Sequence, residues 1–401
     1  MKPLQYFICC LVFSLTPAHA SEVLDKLYSL ASLNKTPAVF ERKVLEGGMQ
    51  SLYFEGAKYQ GNPTRIFSYY KAPKGKGPFP AMVLVHGGGG SAFKEWVTKW
   101  NEAGFAAISI ATEGQTGTLT GKKQPKWVKH EWGGPRRPGI YNDADKPLND
   151  QWMNQATTAV IQAHNLLRSF KEINKDQIGI SGISWGGVIT STAIGFDQRF
   201  SFAIPIYGCG FLDGMQNKYG KALANNKSYR DVWEPAHRIS HFKNPTLWMT
   251  GLKENNFSLD AQADTYKLLN GEHYQSIQPT LKHSHKHGWA PKEPYDFAHS
   301  VLKHKAMPTF YGQTVSKGAI SINVNHVDIE SSKQKDFSTF YYTNDTGHTL
   351  DRKWQTLPVQ VNTSTDVTTL NVELPQKATA WIFNIKNKGL TYSSELFEPI
   401  K

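Results

Sequence analysis

The chain has 401 residues, with 45 lysines and arginines against 33 acids, a formal charge of +12 and three cysteines. That length buries a large core without staples and suggests two domains, which excludes a small disulfide-held scaffold. The basic balance leaves nucleic acid, an anionic surface or polysaccharide, or a basic surface with no specific partner as readings.

Residues 1–20 are set apart first. Lys2 gives a positive start, Phe7 to Leu15 an apolar core, and Ala18-His19-Ala20 a small-x-small cleavage site. This is the pattern of a secretory signal peptide, with an apolar core too short to span a membrane. Cleavage after Ala20 leaves a charge of +11, because only Lys2 is lost from the +12. Export argues against nucleic acid, and the secreted or periplasmic protein is expected to make no stable membrane insertion. Cys9 and Cys10 leave with the leader, so Cys209 is the one remaining thiol and reads as a buried small hydrophobe.

Residues 21–33 read as a short helix or lead-in. Ser51-Leu52-Tyr53-Phe54-Glu55 and Arg65-Ile66-Phe67-Ser68-Tyr69-Tyr70 alternate like antiparallel strands around the turn Gly61-Asn62-Pro63. Ala81 to Val85 is a continuous apolar run, as in a strand buried on both faces. It ends in His86-Gly87-Gly88-Gly89-Gly90, followed by a helix-like Ser91 to Gly104 and a strand-like Phe105 to Ile110. Repeated βα units predict a parallel sheet. The glycine run permits close backbone approach, and its N–H groups suit an oxyanion. A phosphate loop would require Lys-Ser/Thr next, where Ser91-Ala92-Phe93 stands. A structural glycine turn is the third reading.

Thr112 to Pro147 shows no period and leaves the end of a strand where α/β folds bind ligands. Trp127, Trp132 and Tyr141 offer faces for sugar rings, and Lys122, Lys123, Lys126, Lys129, Arg136 and Arg137 offer charge. Trp127, Trp132, Arg136 and Arg137 are therefore candidate substrate-binding residues; a solvated basic loop is the alternative. Leu148 to Ile173 carries apolar residues at helical spacing. It leads into Gln177 to Gly187, where the apolar Ile178 and Ile180 precede Gly182-Ile183-Ser184-Trp185-Gly186. Strand, tight turn and helix in that order are what G-x-S-x-G needs to lift a serine hydroxyl clear of the backbone. Ser184 is the candidate nucleophile.

Phe202 to Tyr207 and Thr246 to Thr250 read as further strands, and Gly210 to Ser240 as an irregular, partly helical cap. After the second strand Glu254 stands in the loop, and Asp260 opens the helix Ala261 to Leu269. Glu254 is preferred as the acid that orients a histidine, with Asp260 assigned mainly to capping. Gln275 to Lys282 is a candidate last strand and Pro291 to Leu302 a final helix. Between them lie His283, His285 and His287. One serves as general base. A metal cluster would want a companion carboxylate or cysteine, and none is local, so neither metal nor cofactor is expected.

With these residues in order, 80 to 302 resembles the α/β-hydrolase superfamily, in its exported acetyl-xylan-esterase-like and dienelactone-hydrolase-like branch. The resemblance rests on His86-Gly87-Gly88-Gly89-Gly90 and Gly182-Ile183-Ser184-Trp185-Gly186-Gly187. Related members carry Gly-Thr-Asn-Asp where Gly251-Leu252-Lys253-Glu254 stands, a departure of Glu for Asp, and His-Gly-His where His283-Ser284-His285 stands. The resemblance implies Ser184, His285 and Glu254 as catalytic residues, with His287 in reserve. It also implies an oxyanion site at the amides of Gly88, Gly89 and Trp185. The implied activity is a serine esterase acting on acyl or methyl esters of a polysaccharide or oligosaccharide, neutral or anionic. A prolyl-oligopeptidase-type peptidase shares fold and triad but usually carries a propeller domain before the hydrolase. A carbohydrate-binding protein on an inactive hydrolase fold is the reading from another class.

From Thr309 the texture changes to short strands, among them Ala319 to Val324, Phe337 to Tyr342, Val359 to Val361, Thr369 to Leu374 and Thr379 to Ile385. They predict a C-terminal all-β immunoglobulin-like sandwich. The expected organisation is leader 1–20, hydrolase 21–305 and sandwich 306–401, with the sandwich packing on the hydrolase.

Overall fold

The computed structural model describes residues 28–29, 34–121, 126–316, 318–364 and 366–398. The leader, most of the lead-in at 21–33, and Lys122 and Lys123 lie outside the described residues.

The chain enters through an antiparallel meander, β1 (Val39–Val44), β2 (Gln50–Glu55) and β3 (Arg65–Lys71). The parallel core begins with β4 (Phe79–Val85), where Ala81 to Val85 are all fully buried. Helix α1 (Lys94–Glu102) crosses to β5 (Ala106–Ile110), which pairs parallel to β4 and antiparallel to β3. Trp96, Val97 and Trp100 form the inward face of α1, at the three- and four-residue spacing of a helix seated on a sheet.

The segment read as patternless holds a small hairpin, β6 (Gln115–Thr120) with β7 (Lys126–Lys129). The expected helix at 148–173 resolves into a 3-10 turn and α2 (Trp152–Ser169). It packs on β4, β5 and β8 (Ile173–Ile183). Helix α3 (Trp185–Phe196) follows β8 directly, then β9 (Ala203–Ile206), and the cap region holds α4 (Lys218–Leu223) among short helical turns. Then come β10 (Thr246–Gly251), α5 (Leu259–Tyr266), β11 (His273–Gln278), the short α6 (His285–Trp289) and α7 (Glu293–Leu302). Strands β5, β4, β8, β9, β10 and β11 run parallel in that spatial order. The ends of β4, β8, β10 and β11 therefore open on one edge, carrying the glycine run, Ser184, Glu254 and the histidines.

The tail forms β12 (Thr309–Ser316), β13 (Ala319–Asn325), the helical turn α8 (Ile329–Ser332), β14 (Ser338–Thr343), β15 (Gln355–Leu357), β16 (Gln360–Thr363), β17 (Val367–Glu373), β18 (Ala380–Asn387) and β19 (Leu390–Ser393). One four-stranded sheet has the order β12-β13-β17-β16. Its Ile320, Ile322, Val324, Leu370 and Val372 pack on Phe340, Tyr342, Trp381, Phe383 and Ile385 of the other sheet. Inward residues two apart on facing antiparallel sheets make this a β-sandwich.

The second layer, β19-β18-β14-β15, continues the central sheet, because β19 pairs with β11 at Ser393 and Gln275. Ile277 N–H donates to Ser393 Oγ at 2.8 Å, and Asn384 Nδ2 donates to Ile277 O at 2.8 Å. This explains why Thr379 to Ile385 runs apolar rather than alternating. Trp381, Phe383 and Ile385 face the sandwich core, while Ala380 and Ile382 face the hydrolase core. Replacing the fully buried Ile382 by alanine is expected to cost about 2–5 kcal/mol, read as a lower urea midpoint. A tail that folds independently of the hydrolase would leave the hydrolase transition unchanged.

Candidate active site

Ser184 sits between β8 and α3 at φ 59° and ψ −119°, a strained conformation for a residue with a Cβ. Its N–H donates to Ile206 O at 2.8 Å, and its carbonyl accepts from Val188 N–H at 3.1 Å. The flanking glycines are required by contact. A Cβ on Gly182 would lie 2.0 Å from Gly186 O, and one on Gly186 would lie 2.0 Å from Val85 O. This is the geometry of a nucleophile elbow.

Ser184 Oγ lies 2.9 Å from His283 Nε2, and His283 Nδ1 lies 2.8 Å from Glu254 Oε2. The carboxylate side chain is fully buried, whereas the imidazole retains partial exposure. Glu254 Oε1 accepts from the amides of Asn256 at 2.7 Å and Phe257 at 3.2 Å. Those bonds fix the carboxylate so that Oε2 faces the imidazole, and Nδ1–H donates to it. Nε2 is then the acceptor for the serine hydroxyl. The His283 ring lies between Tyr207, 4.7 Å away, and Phe257, 6.1 Å away and nearly parallel.

The histidine beside the serine is thus His283, a correction to the expectation of His285. The reason is local. Ser284 caps α6, its Oγ accepting from His287 N–H at 3.1 Å. His283 precedes the cap and reaches back to the elbow, while His285 lies inside the helix and turns to the glycine run. Its Nε2 accepts from Gly87 N–H at 2.9 Å. His287 bonds Ser284 Oγ through Nδ1 and is exposed. The alternative acid also points elsewhere: Asp260 Oδ1 accepts from Ala261 N–H and from the Thr349 hydroxyl. The cap of α5 is Ser258.

The glycine run is held from several sides. His86 Nε2 accepts from Thr112 N–H at 3.0 Å, so Nδ1–H donates to Gly87 O at 2.8 Å. Trp127 Nε1 donates to Gly89 O at 2.9 Å and Gln115 Nε2 to Gly90 O at 2.7 Å. Among the described residues, the amides of Gly88 and Gly89 have no hydrogen-bond partner. Trp185 is the first residue of α3, where an amide lacks an intrahelical acceptor.

The expected wall residues divide. Trp127 is bonded to the glycine run, as above. The Arg137 guanidinium carbon lies 4.7 Å from the Trp185 ring centre, and its Nη2 would lie 3.0 Å from a Cβ on Gly88. Arg137 Nε is 3.7 Å from Glu113 Oε1. Trp132 instead lies under the Arg65 guanidinium at 4.3 Å, and both it and Arg136 are exposed. Sequence reasoning missed Tyr219, whose ring is 5.7 Å from Trp185 and 5.0 Å from Phe257. It sits on a six-residue helix, α4, with no catalytic pattern to mark it. Cys209 is fully buried, and burial pushes its thiol up.

Burial holds the His86 imidazole down to about 3, and those of His164 and His285 down to about 4. All three are neutral in the folded protein near pH 7. Below the ordinary value of about 6.5 the unfolded chain binds protons that the folded one refuses, so their contribution falls with acid. Burial raises Glu113 and Glu234, which act in the opposite sense. His130 is likewise held down to about 4 and Asp264 likewise raised, so with four imidazoles against three carboxyls the urea midpoint is expected to drop between pH 7 and 5. A flat or rising midpoint would contradict the burial of these rings.

Residues 47–239 match the acetyl xylan esterase family, a span containing the glycine run and the elbow and ending before Glu254 and His283. None of the curated proteins matches the chain. Among solved structures, the acetyl xylan esterase from Paenibacillus sp. R4 is 18% identical with a TM-score of 0.52, covering 75% of this chain and 96% of its own. Acetyl xylan esterase 1 from Thermoanaerobacterium sp. JW/SL YS485 is 18% identical with a TM-score of 0.50, covering 71% and 94%. At such identities the structures speak for the fold, and the family match speaks for the branch. With the elbow on the sheet edge where this fold carries it, the chain has the α/β-hydrolase fold, its residues 47–239 resemble the acetyl xylan esterases, and that match marks it as a carboxylic ester hydrolase of the serine type.

Proposed function

We propose that the protein is an exported serine esterase that removes acyl or methyl groups from a polysaccharide or oligosaccharide bearing acidic substituents. The observation that carries the reading is the continuous chain from Ser184 Oγ through His283 to Glu254. In the first step Ser184 Oγ attacks the ester carbonyl while His283 Nε2 takes its proton. The oxyanion is met by the amides of Gly88, Gly89 and Trp185. The tetrahedral species collapses, and His283 returns the proton to the departing alcohol oxygen, leaving an acyl-enzyme. Water then attacks with His283 as base again, releasing the acid and restoring the serine. Glu254 holds the imidazole in the tautomer that accepts at Nε2.

Export rests on the leader pattern of residues 1–20, and the expected mature terminus is Ser21. Among the described residues no helix is long and apolar enough to cross a membrane. The acidic character of the glycan rests on Arg137 beside Trp185 and on the net charge of +11 left after loss of Lys2 from the +12 of the full chain. The test compares release of acetate and methanol from acetylated and methyl-esterified uronic-acid glycans with release from neutral acetylated xylan. Arg137→Gln is expected to raise KM on the acidic glycans roughly tenfold and leave p-nitrophenyl acetate turnover within about twofold, because only the acidic glycans lose a charge-assisted contact. Preference for neutral xylan would remove the acidic part of the reading. Cleavage of peptide p-nitroanilides with no ester turnover would replace the esterase by a peptidase.

A further inference from the structure

We propose that His285 is a positioning residue that holds the glycine run in its oxyanion-binding conformation by accepting the Gly87 amide. The inference rests on the esterase reading above. Four successive glycines have little conformational preference of their own, so a fixed oxyanion site requires ties from outside the run. The carbonyls of Gly87, Gly89 and Gly90 receive such ties from His86, Trp127 and Gln115. On the amide side, Gly90 N–H closes a turn onto Gly87 O at 3.0 Å, and Gly87 N–H goes to His285 Nε2 at 2.9 Å.

Gly87 is the residue that borders the nucleophile. A Cβ there would lie 2.9 Å from Ser184 Cβ and 3.2 Å from His285 Nε2, so the glycine is wedged between the two. The ring also closes over the far end of the run, since a Cβ on Gly90 would lie 2.8 Å from the same Nε2. The imidazole is itself anchored, with Phe93 at 4.8 Å and Trp289 at 6.2 Å between ring centres. Half-buried and neutral, it keeps its Nε2 lone pair for the amide. With Gly87 N–H committed outward, the amides of Gly88 and Gly89 are the ones left for substrate.

Two substitutions separate this role from packing. His285→Phe keeps a ring against Phe93 and Trp289 and removes the acceptor. His285→Gln keeps an acceptor and loses the ring. With p-nitrophenyl acetate, His285→Phe is expected to lower kcat roughly 10- to 100-fold, with KM within about twofold, and His285→Gln to recover much of that loss. Affinity for a boronic acid that forms a tetrahedral adduct on the serine is expected to fall in step with kcat. The melting temperature of His285→Phe is expected to stay near that of the native protein. Native kcat in His285→Phe would overturn the proposal, as would a melting temperature that falls with kcat and no recovery in His285→Gln. Full turnover by Ser184→Ala in the same assay would overturn the esterase reading itself.

Discussion

His283→Ala is expected to reduce p-nitrophenyl acetate turnover on the order of 10⁴-fold or more, the scale seen when one member of a serine triad is removed. The physical reason is that, among the described residues, no second base bonds the serine hydroxyl. Ser184 Oγ has His283 Nε2 at 2.9 Å, and the two neighbouring imidazoles are committed to Gly87 and Ser284. Glu254→Gln is expected to cost about 10³- to 10⁴-fold, because an amide no longer enforces the Nδ1–H tautomer. His285→Ala is expected to cost much less than His283→Ala. If the two histidine variants exchanged these effects, the serine would be served by His285 and the described geometry would not be the reacting one.

Gly186→Ala is expected to prevent folding. Its new methyl would stand 2.0 Å from Val85 O and 2.8 Å from His86 O, so β4 or the elbow must move. Both elements are buried, and displacing them costs about 3 kcal/mol or more, a large fraction of ordinary stability. The expected result is loss of soluble protein, or a urea midpoint far below the native one in whatever is recovered. Gly214→Ala serves as control, since a Cβ there meets nothing within 4 Å. A soluble, active Gly186→Ala protein would mean that the elbow is looser than its contacts require.

The elbow was legible because its chemistry is local. Ser184, its small neighbours and the strand before it are contiguous, and no distant contact decides their roles. A carboxylate able to reach a histidine was legible in Glu254 from its place after a strand. Which histidine stands beside the serine was not, because three alternating histidines differ only in which way the chain turns. That turn is set by Ser284 capping a five-residue helix too short to show a period. A serine three residues before His287 was the available signal for a helix start, and it places His283 outside the helix. Trp132 was read as wall from its type and from its loop's place after a strand, and nothing local to the sequence shows that the Arg65 guanidinium stacks on it.

The sandwich strands were legible where one face is buried, as at Ala319 to Val324. The junction was not. Strand β19 has four residues, Leu390–Ser393, and joins the central sheet through β11, more than a hundred positions earlier. Pairing at that separation leaves no mark on local pattern. The two-faced apolar run of β18 was its one trace, and it becomes interpretable only when both neighbouring cores are seen.

The central claim is that Ser184 is the nucleophile activated by His283. Intact-mass and peptide analysis after treatment with a fluorophosphonate tests it most directly, because only an activated serine is phosphonylated quickly. One adduct is expected, on the peptide carrying Ser184, absent from Ser184→Ala and strongly slowed in His283→Ala. An adduct on another residue, or rapid labelling of Ser184 that survives the loss of His283, would contradict the account.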